Sequence, residues 1–267
     1  MTRIFPCFLL FSAAVIFTGC KPGTASREKS STATLTVAAA SDLKFALDEL
    51  AGEYRAAHPS TAVNITYGSS GNFFNQIQNQ APFDLYFSAD IEYPRKLAGA
   101  GLALDNDVFR YANGHLAVWI SESSALDVEH LGIAALADPS VKKVAIANPK
   151  HAPYGRAAIA ALKFLGVFDT VEPKLIYGEN IMQTAQFVQS GAADAGILAL
   201  SLAMAPQMKD AGRYWRIPPE ACPGLEQGGM ILKSTGHADA ARSFRDYILD
   251  ERGRTLLKRY GFAVPEK

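Results

Sequence analysis

The chain has 267 residues, with 26 Lys plus Arg against 26 Asp plus Glu, and 49% of it is hydrophobic. A formal net charge of zero argues against a nucleic-acid surface, and the apolar content is enough for one large or two moderate cores. Three cysteines in such a length build no disulfide framework, so stability has to come from packing.

The N-terminus sets the compartment. Arg3 is followed by an apolar run, Ile4 to Phe17, that is too short to span a bilayer comfortably and has the form of a signal peptide. The segment Phe17-Thr18-Gly19-Cys20 resembles the lipobox at which bacterial lipoproteins are cleaved and acylated, with Phe17 in place of the usual Leu. A lipoprotein-type signal peptide is therefore expected over residues 1–20, with Cys20 lipidated and the protein in the periplasm or on the outer face of a membrane. The alternative is a soluble periplasmic protein cleaved a few residues later. Cys7 leaves with the signal and Cys20 carries lipid, which strands Cys222 without an intramolecular partner. Residues 21–34 are rich in Ser, Thr, Lys and Gly and predict a flexible tether.

From Leu35 the pattern is α/β. Leu35, Val37 and Ala39 alternate as in a strand, then Leu43, Leu47, Leu50 and Tyr54 recur on one helical face. The rhythm repeats with a strand Val63 to Tyr67 before a helix from about Asn72, and a strand Asp84 to Ser88 before a helix from about Glu92. Such alternation predicts a mainly parallel sheet. A second set follows: strand Val144 to Ala147 and helix Arg156 to Leu165, strand Leu175 to Tyr177 and helix Ile181 to Gln189, then strand Ala195 to Leu200. His115 to Ile120 and Gly228 to Lys233 are expected to be strands crossing between lobes as a hinge. Ala238 to Tyr260 is helical in pattern and is expected to return to the first lobe. The domains expected are lobe 1 over 35–113 and 228–267, and lobe 2 over 114–227.

Four strand-to-helix junctions share small or hydroxyl residues where free backbone N–H groups begin a helix: Ser41, Ser69-Ser70-Gly71, Tyr154-Gly155 and Asn180-Ile181. Helix N-termini at the carboxyl ends of strands present uncompensated donors and positive dipole ends, which suits an anion. With about half a positive charge per helix end, a dianion roughly 5 Å away and a dielectric near 20, each helix contributes on the order of 3 kcal/mol before desolvation. Taken singly, Ser41 and Ser70 are ordinary N-caps; at the same end of consecutive strands they favour a site. A fully deprotonated oxyanion needs donors on every side, whereas hydrogen phosphate needs an acceptor for its own proton, and Asp42 or Glu179 is a candidate for that role. Phe73-Phe74 either lines the cleft or buries a helix face. The five histidines are scattered, with no zinc spacing, so no metal cation site is expected. A serine hydrolase could hide only at Gly68-Ser69-Ser70-Gly71, and Asn72 stands where the nucleophile elbow needs Gly.

Together these residues resemble the molybdate-binding periplasmic proteins of ABC transporters over nearly all of the mature sequence. The resemblance rests on Ala38-Ala39-Ala40-Ser41-Asp42-Leu43, Gly68-Ser69-Ser70-Gly71, Pro82 to Asp90, Asn148 to Arg156, and Lys258-Arg259-Tyr260-Gly261-Phe262. It implies a type II periplasmic-binding fold, two α/β lobes joined by a two-crossing hinge and closing on molybdate or tungstate. No cofactor and no enzymatic activity are implied, and molybdenum enters only as the bound oxyanion. The implied contacts are Ser41 and the amide of Asp42, then Ser70, Tyr154 and the amide of Ile181, while Asp84 to Asp90 belong to lobe structure. Some members carry a ligand-contacting tyrosine where this chain has Ala199, and Tyr154 is the expected source of the missing hydroxyl. The Asp42 carboxylate repels a dianion unless it turns away to cap its own helix while only its N–H faces the ligand, and the sequence does not fix its direction. The partners implied are the oxyanion, the membrane permease of an ABC importer and, through the N-terminal lipid, the membrane, with the protein a monomer.

Overall fold

A computed structural model describes residue 2, residues 33–222 and residues 225–266. In chain order its elements are β1 (Ala33–Ala40), α1 (Lys44–Ala57), β2 (Thr61–Gly68), α2 (Ser70–Gln78), β3 (Leu85–Ser88), α3 (Glu92–Gly99), β4 (Ala103–Asn113), β5 (Leu116–Ser121) and α4 (Val128–Leu131). There follow β6 (Val144–Ala147), α5 (Pro153–Phe164), α6 (Phe168–Val171), β7 (Leu175–Gly178), α7 (Ile181–Gln189), β8 (Ala195–Ala199), α8 (Leu200–Ala203), α9 (Pro206–Lys209), β9 (Gly212–Arg216), β10 (Glu226–Leu232), α10 (Ala238–Leu249) and α11 (Glu251–Arg259). The expected signal peptide and Cys20 lie outside the described residues, as does all of the expected tether but its last two residues. Those two, Ala33 and Thr34, pair with Thr61 and Ala62 in the ladder of β1 and β2, so the strand begins earlier than composition suggests.

The strands form two five-stranded sheets with matching order, β2-β1-β3-β10-β4 and β7-β6-β8-β5-β9. In each, three strands joined by helical crossovers run parallel, a fourth, β10 or β5, is inserted antiparallel beside them, and the edge strand, β4 or β9, pairs antiparallel with it and so runs with the first three; the sheets are mixed, with four of five strands sharing one direction. The physical reason is that β5 and β10 enter their sheets from the other half of the molecule. No βα crossover leads into either, and nothing forces them into the parallel direction. β4 and β9 escape a hydrophobicity reading. The first carries Asp105-Asn106-Asp107 on an exposed stretch, with Asp105 and Asn106 at positive φ.

The crossings differ from expectation. β5 lies wholly in the second sheet, paired with β8 and β9, and β10 wholly in the first, paired with β3 and β4. The chain passes between halves at Gly114-His115 and again between β9 and β10. The two passages are bonded side by side, the Gly114 N–H donating to the Leu225 carbonyl at 2.8 Å.

The helical pattern at the C-terminus is interrupted at Asp250, whose carboxylate accepts the Gly253 N–H at 2.8 Å and starts α11. Phe244, Ile248 and Leu257 of this pair pack with Leu35, Val37, Leu47, Leu50 and Tyr54 in the core beneath the first sheet. A separate core around Trp119, Ile146, Ala158, Leu162 and Ile197 supports the second. Each large aliphatic or aromatic side chain so buried contributes about 1.5–3 kcal/mol, which fixes the strand ends from which the site is built.

Candidate functional site

The carboxyl ends of β1 and β2 in one sheet and of β6 and β7 in the other face a common cavity, lined by Ala40, Ser41, Asp42, Gly68, Ser69, Ser70, Ala89, Ala152, Pro153, Tyr154 and Ile181. All five residues singled out from sequence, Ser41, Asp42, Ser70, Tyr154 and Ile181, are among them. Among the described residues, no Lys, Arg or His lines it. The space open to the centre of a water molecule is about 10 Å³, close to the minimum for one water. A groove of about 650 Å³ beside Thr36, Asp84 and Lys233 is far larger, but it lies at the opposite ends of the first sheet's strands, away from the converging helix starts.

Capping explains which donors face the cavity. In α2 the Asn72 N–H is accepted by the Ser69 hydroxyl, the Phe73 N–H by the Ser69 carbonyl and the Gly71 N–H by the His151 carbonyl. Ser70 at the first helical position keeps an N–H with no acceptor among the described residues. In α7 the Asn180 side chain accepts from Met182 and Gln183, and its carbonyl from Thr184, which leaves the Ile181 N–H. α5 opens with Pro153, which has no N–H, and the Ala152 carbonyl accepts from Gly155 and Arg156, which leaves Tyr154. Each helix thus spends every early donor except one, and that one belongs to a residue lining the cavity.

The hydroxyls are arranged less uniformly. Ser70 Oγ accepts the buried Ala89 N–H at 3.0 Å and still has its proton to give. Ser41 Oγ donates to the Gly68 carbonyl at 2.9 Å. Tyr154, expected to supply a hydroxyl to the cavity, instead donates it to Asp42 Oδ2 at 2.9 Å. Burial and the adjacent carboxylate push its phenol well above the ordinary value of 10, so it stays a donor. Ala199, at the end of β8, does not line the cavity.

Asp42 is buried, and Gln227 Nε2 donates to the same Oδ2 at 2.7 Å and to the Tyr154 hydroxyl at 3.0 Å. Burial raises the Asp42 carboxyl from its ordinary 3.8 to about 6, against the pull of Gln227, Tyr154 and the amides of Asp42 and Leu43. Asp42 Oδ1 and Gln227 Oε1 are buried with no hydrogen-bond partner among the described residues. The Asp42 carbonyl accepts from Ser201 Oγ of α8 at 2.8 Å, so both main chain and side chain are tied to the second half.

Contacts between the halves surround the cavity. Besides the 2.9 Å bond from Gly71 N–H to the His151 carbonyl, Asn72 Nδ2 donates to Glu179 Oε1 at 2.8 Å. Arg156 pairs with Asp90 at 2.7 Å and lies over the Tyr93 ring. Asp90, expected to be lobe structure alone, therefore reaches across. Asp84 does stay within the first half, accepting from the Thr36 N–H and the Thr235 hydroxyl. Glu179 accepts from Asn72 rather than facing the cavity, and Phe73 is buried with Phe83 while Phe74 packs on Tyr93, which leaves neither phenylalanine lining it. Gln227 and the rim contacts were missed from sequence. A lone amide between Glu226 and Gly228-Gly229, at the start of a strand that ends in Met230-Ile231-Leu232, is the one available signal for Gln227.

The chain is similar to known solute-binding proteins in both sequence and structure. Residues 35–263 match the family described as bacterial extracellular solute-binding protein. A molybdate-binding protein, ModA, of Rhodobacter capsulatus is 34% identical over 76% of this chain and 77% of its own length. A putative ABC transporter substrate-binding lipoprotein of Bacillus subtilis is 26% identical over 95% of each chain. The structure of the periplasmic molybdate-binding protein of Azotobacter vinelandii superposes with a TM-score of 0.80 at 32% identity, covering 87% of this chain and 100% of that one.

Proposed function

This chain belongs to the bacterial extracellular solute-binding protein family, a family of transport proteins rather than enzymes, and from that premise we propose that it captures molybdate outside the cytoplasm and delivers it to the permease of an ABC importer. The observation that carries the reading is the convergence of the unspent amides of Ser70, Tyr154 and Ile181 on one small cavity without a cationic side chain. A dianion held at roughly 5 Å from three helix ends gains on the order of 3 kcal/mol from each before desolvation. The Ser70 hydroxyl and the Ser41 and Asp42 main chain complete the donor set, and Tyr154 contributes its amide while its hydroxyl serves Asp42. Tungstate, with the same charge and tetrahedral shape, is accepted as well.

Binding works through closure. Ser41, Asp42 and Ser70 come from one half and Tyr154 and Ile181 from the other, so an oxyanion touching all of them favours the closed arrangement by its greater affinity for it. The importer reads the closed shape. The protein acts as a monomer tethered by lipid on Cys20, a reading supported by the Phe17-Thr18-Gly19-Cys20 segment and by the lipoprotein description of the Bacillus subtilis relative.

A thermal-shift panel with molybdate, tungstate, sulfate and phosphate at low micromolar concentration tests the proposal. Molybdate and tungstate are expected to raise the melting temperature and the other two to leave it unmoved. Stabilisation by sulfate or phosphate alone defeats the assignment of the ligand.

A further inference from the structure

A receptor for a doubly charged anion has a carboxylate in its wall, and two donors decide where that carboxylate points. Asp42 Oδ2 receives both the Tyr154 hydroxyl at 2.9 Å and Gln227 Nε2 at 2.7 Å, and Nε2 touches the hydroxyl oxygen at 3.0 Å. The three side chains are sealed from solvent, Gln227 completely. Gly114 closes the cluster from behind, since a Cβ there would stand 2.2 Å from the Tyr154 hydroxyl and 2.7 Å from Gln227 Nε2. Gln227 belongs to β10 and does not line the cavity, so any effect it has on a ligand passes through Asp42.

We propose that Gln227 is a specificity-determining positioning residue: it holds the Asp42 carboxylate at the hinge, keeps the cavity free of an inward acceptor, and so selects oxyanions that carry no proton over those that carry one. This rests on the reading of the cavity as an oxyanion site. A fully deprotonated tetrahedral oxyanion only accepts hydrogen bonds and is served by amides and hydroxyls alone. Hydrogen phosphate must also donate, and in a cavity without an inward acceptor its proton is buried unpaired. A released carboxylate repels either dianion, but only hydrogen phosphate offsets that repulsion by donating its proton to it, so the preference shifts toward the protonated anion. Selectivity here is a matter of which way one carboxylate is turned.

The test uses the full chain and titration calorimetry at neutral pH with molybdate, sulfate and inorganic phosphate. Gln227→Leu is expected to weaken molybdate about tenfold or more and to leave phosphate unchanged or tighter, so that the ratio of the two affinities falls by at least that factor. Adding Asp42→Asn to Gln227→Leu removes the released charge and is expected to bring molybdate back to within about threefold of wild type, a rescue that a merely structural role for Gln227 does not produce. Tyr154→Phe removes the other donor and is expected to act in the same direction, with the same rescue, which keeps the test decisive if Gln227→Leu does not fold. An unchanged molybdate-to-phosphate ratio in the folded variants, or no rescue by Asp42→Asn, overturns the proposal while leaving the oxyanion site intact. A wild-type protein that binds none of the three anions overturns both.

Discussion

Gly71→Ala separates closure from folding. In the closed arrangement a Cβ on Gly71 would stand 2.6 Å from the His151 carbonyl oxygen, where ordinary contacts begin at 3.4 Å, and the obstructing atom is backbone with no rotamer to change. The halves must therefore part at that point by most of an ångström, which lengthens the 2.9 Å bond from the Gly71 N–H to the same oxygen and strains the Asn72 to Glu179 bond beside it. Overpacking of this kind costs about 1–3 kcal/mol and the lost hydrogen bond about 0.5–1.5 kcal/mol, together on the order of 2–4 kcal/mol charged to the closed form alone. Oxyanion affinity is then expected to fall roughly 30- to 1,000-fold. The same substitution replaces glycine by alanine inside a helix, worth up to about 1 kcal/mol of stability. The open, unliganded protein should thus melt at an equal or higher temperature. Calorimetric titration with molybdate and a thermal melt of the same sample measure the two effects independently. Wild-type affinity in the variant, or a destabilised unliganded protein, refutes the reasoning.

Asp42→Asn should change the pH dependence of stability. With its carboxyl raised from 3.8 to about 6, the native state holds a proton that the unfolded chain releases first, so this group's contribution to stability is fully present below about pH 4 and is lost, by about 3 kcal/mol, as pH rises through about 6. Denaturant melts should find the variant level with wild type near pH 4 and more stable by about that amount near pH 7.5, and parallel curves would refute the assignment. Ser70→Ala strands the buried Ala89 N–H, which now donates to Ser70 Oγ at 3.0 Å, and should cost about 1–3 kcal/mol of stability. It also removes one hydroxyl donor from the cavity and should weaken molybdate about tenfold. A binding loss without a stability loss would contradict the Ala89 contact.

The elements legible in the sequence were those whose burial is decided locally. Ile181 to Gln189 and Val144 to Ala147 coincide with α7 and β6, because helix amphipathicity and a short apolar run need no knowledge of partners. What was not legible depends on partners distant in sequence. β4 is held to β10 across more than a hundred residues and shows Asp105, Asn106 and Asp107 where a strand pattern would want apolar side chains. Likewise the five candidate residues were legible because four strand-to-helix junctions share one composition, a local signal, whereas the destination of the Tyr154 hydroxyl depends on Asp42, 112 positions away. Gln227 was invisible for the same reason, since its meaning comes from Asp42 at a separation of 185.

The electrostatic balance of the cavity makes that hidden contact matter more than any single visible donor. On the proposed reading, three helix ends at on the order of 3 kcal/mol each supply the attraction for a dianion, and no lysine or arginine among the described residues lines the cavity to compensate by shifting. A carboxylate turned inward to roughly 6 Å from the same dianion would oppose it by about 5 kcal/mol at an effective dielectric of 20, more than one helix end contributes. Neutral, fixed donors bind a dianion tightly only where acceptors of opposite preference are kept out, and in this protein the acceptor is not absent but restrained. Since the restraint combines Tyr154 from one half with Gln227 at the start of the returning strand, both packed against Gly114, the orientation of Asp42 and the relative position of the halves are fixed by the same hydrogen bonds. A change that loosens the hinge therefore also loosens the hold on the charge that the site has to keep turned away.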